Sequence, residues 1–322
     1  MVTRALFALS MAALLAPAAH AAESKYPSRP IRVVVPYTPG GITDVMTRLV
    51  MTEVGKDFNQ TMIIDNRPGA NSIVGVEIVA KANPDGYSLT AVIPAHAANQ
   101  TLYPKLPYDS LKSFAPISLL GTAPLIVCVS NSLAAKNVKE LIDLAKAKPG
   151  QLSFASSGVG AAAHLTTELF MLTTGTKMVH VPYKGTAPAL LDLSGGQVQF
   201  MMDTPLSLLP HARAGKIRAI AMAADKRAAV APDVPTLIEQ GVKVVGGTWV
   251  GILAPAGTPR AVVTTLNRSI AAVVKRQDIH DKIVQVGIDP VGNSPEEFTQ
   301  FLRDEIAKWG KVIKAANVKI EG

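Results

Sequence analysis

Val33-Val34-Val35-Pro36-Tyr37-Thr38-Pro39-Gly40-Gly41-Ile42-Thr43-Asp44 reads as a buried strand, a tight Pro/Gly turn and the first turn of a helix. A β-branched run without polar alternation suits a strand covered on both faces. Beyond the turn, Val45, Met46, Leu49, Val50 and Val54 continue from Ile42 at helical spacing, which gives the helix one buried face. Gly40 and Gly41 let the backbone approach a bound group, and the free N–H donors and positive dipole end of the helix favour an anion there. The alternative is an ordinary βα turn in which Thr43 or Asp44 caps the helix. No Gly-Lys-Ser/Thr follows, so the turn is not a nucleotide P-loop.

The same alternation continues along the chain. Met62 to Asp65, Leu89 to Ile93, Leu125 to Ser130, Leu152 to Ser156, Met178 to Val181, Val198 to Met202 and Ile217 to Ala221 read as further strands. Asn137 with Glu140, and Ser294 with Glu297, are capping patterns ahead of amphipathic helices; other helices begin near Gly160 and after Thr258-Pro259. Strands separated by helices imply βαβ units and parallel sheets covered on both faces, and so many units in 322 residues predict two α/β lobes. Val35-Pro36-Tyr37 is echoed by Val181-Pro182-Tyr183, a match too short to establish an internal duplication.

Arg4, the apolar stretch Ala5 to Ala16, and Ala19-His20-Ala21 make a secretory leader over residues 1–21, with cleavage expected near Ala21/Ala22. Loss of Arg4 with the leader lowers the net charge from +8 to +7. The positive balance suits anionic small solutes better than nucleic acid, because aromatic residues are 5% of the chain and basic residues do not cluster. A single cysteine, Cys128, excludes an internal disulfide and a Cys-x-x-Cys redox pair.

Ser156-Ser157-Gly158-Val159-Gly160-Ala161-Ala162-Ala163-His164 repeats the strand, glycine turn and helix layout and matches G-x-G-x-x-A. The dinucleotide reading fails because Val181-Pro182-Tyr183-Lys184-Gly185 has no acid for a ribose hydroxyl. Ser156 or Ser157, His164 and Asp203 are a conceivable hydrolytic triad, but no Gly-x-Ser-x-Gly elbow supports it. The histidines His96, His164, His180, His211 and His280 lack metal-ligand spacing, so neither a metal nor a cofactor is expected. Asp203 ends a strand where α/β sheets present ligand contacts. Trp249, between Gly247 and Gly251, reads as part of a hinge or re-entry strand with no second aromatic nearby in sequence.

Several further segments carry a resemblance: Tyr26-Pro27-Ser28-Arg29-Pro30-Ile31, Asp65-Asn66-Arg67-Pro68-Gly69-Ala70, Pro84-Asp85-Gly86-Tyr87, Leu106-Pro107-Tyr108-Asp109, Ala254-Pro255-Ala256-Gly257-Thr258-Pro259 and Trp309-Gly310-Lys311-Val312-Ile313. With the two glycine loops and Val181 to Gly185, the chain resembles the Bug-type periplasmic solute receptors of tripartite tricarboxylate transporters. The resemblance implies a two-lobed, type II-like Venus-flytrap fold, each lobe a mostly parallel sheet flanked by helices. Lobe one would comprise residues 22–123 and 248–322, and lobe two residues 124–247. It implies a non-enzymatic periplasmic receptor that takes a small di-, tri- or aromatic carboxylate, or a related polar compound, to transmembrane transporter components, and a monomer is the expectation for a protein that opens and closes about a hinge. Service as a sensor for a membrane signalling partner is an alternative, as is the exported hydrolase. The expected ligand-binding set is Tyr37, Thr38, Gly40, Gly41, Ile42, Thr43, Asp44, His96, Ser156, Ser157, Gly158, Gly160, His164, Tyr183, Lys184 and Asp203. Ile42 stands where the family commonly has a glycine, Asn71-Ser72 replaces a frequent Gly-Gly, and Val159 with Ala161 to Ala163 makes the second loop apolar, which favours a ligand with an apolar middle, such as an aromatic acid, over a polar amino acid.

Overall fold

The computed structural model describes residues 26–320, so the expected leader and its cleavage point lie outside the described residues. In chain order the elements are β1 (Ile31–Val35), α1 (Ile42–Phe58), β2 (Met62–Asn66), α2 (Ile73–Ala80), β3 (Ser88–Val92), α3 (Pro94–Leu102), β4 (Phe114–Ser130), α4 (Val138–Ala147), β5 (Ser153–Ser156) and α5 (Ala162–Thr174). There follow β6 (Val179–Pro182), α6 (Thr186–Ser194), β7 (Phe200–Asp203), α7 (Pro205–Arg213), β8 (Ile217–Ala223), β9 (Gly247–Pro255), α8 (Arg260–Lys275), α9 (Gln277–Gln285), β10 (Asp289–Pro290) and α10 (Pro295–Ala315).

Two sheets share one long strand. In the first, β2, β1 and β3 are parallel, and β9, β4 and β10 continue it antiparallel. In the second, β6, β5 and β7 are parallel, and β4 then β8 extend it antiparallel. The expected parallel pairing therefore holds for three outer strands of each sheet and gives way to antiparallel pairing beside them. The reason is β4, which runs from one sheet into the other as a plain strand and not as a helical crossover, with β9 antiparallel beside its first part. The strand expected at Leu125 to Ser130 is the second half of β4, which begins eleven residues earlier at Phe114.

The change of sheet is sharp. Pro124 is the last β4 residue paired with β9, opposite Gly247, and Leu125 is the first paired with β8. A side chain at Gly247 would lie 2.5 Å from the Ala123 carbonyl oxygen, so the two strands can cross this closely only through glycine.

The three-strand units have the same order, with β1 between β2 and β3 as β5 lies between β6 and β7. Each central strand thus hands the chain to one side and receives its second neighbour on the other. The crevice beyond its C-terminal end is the switch point at which α/β sheets bind ligands. Buried Val33, Val35, Met46, Val50, Leu89 and Ile252 fill part of the core beneath the first switch point, and Phe154, Phe170, Phe200 and Met202 the second.

Candidate functional site

Both switch points open on one cavity of about 540 Å³, within the range of small-molecule sites. From the first sheet it is lined by Tyr37, Thr38, Gly40, Gly41, Ile42 and Thr43 of the β1–α1 turn, by Asn71, and by Ile93 and Ala95 beyond β3. The second sheet contributes Ser157 and Ala161 to Ala163 beyond β5, Gly185, Thr186, Ala187 and Leu190 beyond β6, and Asp203, Thr204 and Ser207 beyond β7. Leu125 and Thr248, from the crossing strands, complete it.

The cavity therefore collects the N-termini of α1, α3, α5, α6 and α7. Their N-cap residues are Gly41, Ile93, Ala161, Gly185 and Thr204, and none of them makes a side-chain capping bond. By contrast, Asn137 caps α4 through Glu140 N–H, and Ser294 closes α10 with a reciprocal capping box. Uncapped N-termini leave backbone donors and the positive dipole ends facing the cavity, an arrangement suited to an anion. Among the described lining residues there is no Lys, Arg or His, and Asp203 is the one carboxyl.

Asp203 is 8% exposed. Its Oδ2 accepts from Thr186 Oγ1 at 2.8 Å and its Oδ1 from the Thr204 backbone N–H at 2.7 Å. Burial raises its carboxyl above the usual range, and these bonds oppose the shift without cancelling it. The Tyr37 hydroxyl at the opposite wall is buried without a hydrogen-bond partner.

Other expected site residues shape the loops instead of lining the cavity. Asp44 turns back into its own turn, accepting from Gly40 N–H at 3.0 Å, Arg48 Nε at 3.0 Å and Asn66 Nδ2 at 3.0 Å. Ser156 is fully buried, and its Oγ lies 2.7 Å from His180 Nε2 and accepts from Gly158 N–H at 3.2 Å. His164 stacks on His180 with centroids 3.7 Å apart, and its Nδ1 accepts from Gly160 N–H at 3.1 Å. Burial, then neighbouring His164, lowers His180 to about 3, so His180 is a neutral packing group at neutral pH. Gly158 and Gly160 adopt positive φ, and a Cβ at Gly160 would lie 2.5 Å from Leu102 Cδ1 of the first sheet's α3.

Tyr183 donates its hydroxyl to Asp192 at 2.6 Å, which leaves that group outside the site. Lys184 is exposed and does not line the cavity. His96 is the clearest correction: it is fully buried, stacked on Tyr108 and edge-on to Phe114, with Nε2 at 2.8 Å from the Ser110 carbonyl. Burial lowers it to about 4. Trp249 has aromatic neighbours after all, Phe298 and Phe301, which belong to a helix some fifty residues away in sequence.

Among the lining residues missed in sequence, Thr186, Thr204 and Ser207 occupy first turns of helices, and counting each helix's opening turn as site would have found them. Asn71 was singled out only as a departure from a glycine. It has φ +51°, and its Nδ2 donates to Asn99 Oδ1 at 2.8 Å while Asn99 Nδ2 donates to the Asn71 carbonyl at 2.8 Å. His180, inside a strand, carried no sequence signal.

Two sheets that share one long strand and together wall one cavity suit a solute-binding receptor. Comparisons with known proteins agree. Residues 46–318 match the family described as "Tripartite tricarboxylate transporter family receptor". The chain is 34% identical over 307 residues to Protein BugT of Bordetella pertussis, covering 94% of each. Among solved structures, the periplasmic binding protein BugD is 33% identical with TM-score 0.81, covering 92% of this chain and 100% of that one. The R. palustris protein Rpa4515 with adipate is 35% identical with TM-score 0.84, covering 91% and 99%. The chain belongs to the tripartite tricarboxylate transporter receptor family, and is a solute receptor of the Bug type.

Proposed function

We propose that this protein is an exported, monomeric periplasmic receptor, without enzymatic activity, that captures a small carboxylate and passes it to transmembrane transporter components. The supporting observation is the convergence of five helix N-termini without side-chain caps on a cavity whose described lining has no basic side chain. Each contributes about 0.3–1 kcal/mol toward an anion, and about 2 where shielded from water. Five give about 1.5–5 kcal/mol, so amide hydrogen bonds and water exclusion supply the remainder of the roughly 8 kcal/mol of micromolar binding. Adipate in the related Rpa4515 fits the same class.

The lobe division 22–123, 124–247 and 248–322 accords with the change of pairing at Pro124/Leu125 and at Gly247. A ligand with an apolar middle is favoured by Ile42, Ile93, Leu125 and Leu190 on the walls. The hydrolytic alternative loses its base, because His164 Nδ1 is occupied by Gly160 N–H and Asp203 by Thr186 and Thr204. The test is a thermal-shift screen of acids, with mass spectrometry of the recovered ligand. A stabilising acid recovered unchanged is expected. No shift from any acid, or turnover of the ligand, refutes the reading.

A further inference from the structure

Asp203 is out of keeping with a site built only for anions. An incoming carboxylate finds five positive helix ends, yet the one charged-type side chain on the described lining is another carboxyl, buried and without a cation beside it. Burial and hydrogen bonding pull its protonation in opposite directions. Thr204 offers a backbone N–H, which can only donate, to Oδ1, and Thr186 presents its hydroxyl to Oδ2. Two donors aimed at the two oxygens suit an ionised acceptor, whereas burial favours the neutral carboxyl, so a positive partner is what would hold the group ionised away from water. No such partner lies among the described lining residues: Lys184 is exposed and does not line the cavity, and His164 and His180 are engaged in the stack behind Ser156. The missing cation must come with the ligand.

We infer that Asp203 receives an ammonium group of the ligand, so that the solute is a zwitterion whose carboxylate faces the helix N-termini and whose amine meets Asp203. This rests on the carboxylate-receptor reading and narrows it. A simple dicarboxylate would place a second negative charge near Asp203, whereas an amino acid forms a charge-assisted pair sheltered from water. The apolar side chains of Ile42, Ile93, Leu125 and Leu190 accommodate a methylene chain in the same ligand.

The test is calorimetric titration of the mature chain with length-matched series that keep one carboxylate and vary the other end: hexanoate, adipate and 6-aminohexanoate, then butyrate, succinate and 4-aminobutyrate, together with α-amino acids. The expected result is that an ammonium-bearing acid binds at least about 10-fold more tightly than its methyl and carboxylate counterparts. Asp203→Asn should abolish that preference, so that within the variant the ammonium-bearing and methyl-ended acids bind with affinities less than about 10-fold apart. The wild-type series decides the matter even if the variant folds poorly. If the dicarboxylates bind best, or if Asp203→Asn leaves the ammonium preference intact, the inference is wrong and the receptor reading survives. Tighter dicarboxylate binding as the pH falls would identify Asp203 as a proton donor instead, also against the inference. If no acid in any series binds, the receptor reading fails, and the inference with it.

Discussion

Glu305 on α10 makes one carboxylate serve both tryptophans of the chain. It is 8% exposed, and its Oε2 accepts the indole N–H of Trp249 and of Trp309, each at 2.8 Å, while Lys308 reaches Oε1 at 3.2 Å. Trp249 lies in β9 beside the strand crossing, so this contact fastens the terminal helix to the region between the two sheets. Glu305→Ala strands two buried donors at roughly 1–3 kcal/mol each. Glu305 also borders a cavity of about 550 Å³, through which water can reach the indoles and replace part of the loss. The cost should therefore fall toward the low end, about 3 kcal/mol. Glu305→Gln keeps a carbonyl oxygen with two lone pairs, enough for both indoles, and should cost about 1 kcal/mol. At about 2 °C per kcal/mol for a chain this long, the alanine variant should melt about 6 °C lower and the glutamine variant about 2 °C lower. Because the chain has only two tryptophans, emission excited selectively from tryptophan reads this site, and only the alanine variant should change the native emission strongly. An alanine variant within about 1 kcal/mol of wild type would refute the reasoning. A glutamine variant as damaged as alanine would show that charge, not the acceptor, does the holding.

Three further outcomes are expected. Burial raises the Asp44 carboxyl, but Arg48, Gly40 N–H and Asn66 outweigh it and hold the group below the usual range. Asp44→Ala should lose about 2 kcal/mol at pH 7, and denaturant melts should show the difference vanishing as pH drops below about 4 toward the folded-state value. His96, lowered to about 4 by burial, is neutral in the native state while the unfolded chain takes up a proton below about 6.5. Stability should consequently fall between pH 6.5 and 4 by up to about 1.4 kcal/mol per pH unit from this group, and melts of His96→Gln should lack that component. Gly160→Ala places a side chain at φ +78° and 2.5 Å from Leu102 Cδ1. The backbone strain, roughly 1–2 kcal/mol, lowers the melting temperature, and the clash weakens binding of the best acid in the screen; adding Leu102→Ala should restore binding but not the melting temperature.

Much of the fold could be read from local signals. The β1–α1 turn, the Asn137 and Ser294 caps and most strand positions depend on neighbours within a few residues, and periodicity and capping chemistry report such neighbours directly. What stayed hidden was set by distant partners. The seventeen residues of β4 form a continuous strand because β9 and β10 pair its first half and β7 and β8 its second, and none of those partners is near it in sequence. His96 and Asp44 look like ligand groups in a linear reading, yet one is taken up by Tyr108, Phe114 and Ser110 and the other by Arg48 and Asn66. Asp203 was legible because the end of a parallel strand is itself a topological position.

The repeated topology shows why a sequence echo and a structural repeat need not coincide. Val35-Pro36-Tyr37 leaves β1, which lies between β2 and β3, whereas Val181-Pro182-Tyr183 leaves β6, which among the described residues pairs only with β5. The counterpart of β1 is β5, whose exit, Ser157-Gly158-Val159-Gly160, shares no Val-Pro-Tyr with it. What the two exits share is physical: each turn contains glycine at positive φ, and each leads into a helix whose first N–H groups are not capped by a side chain. A carboxylate-binding surface requires donors and dipole ends in place, and backbone supplies both, so the side chains around them are free to differ. Specificity is then left to the few side chains that reach the cavity, and Asp203 is the one among the described lining that can carry a full charge.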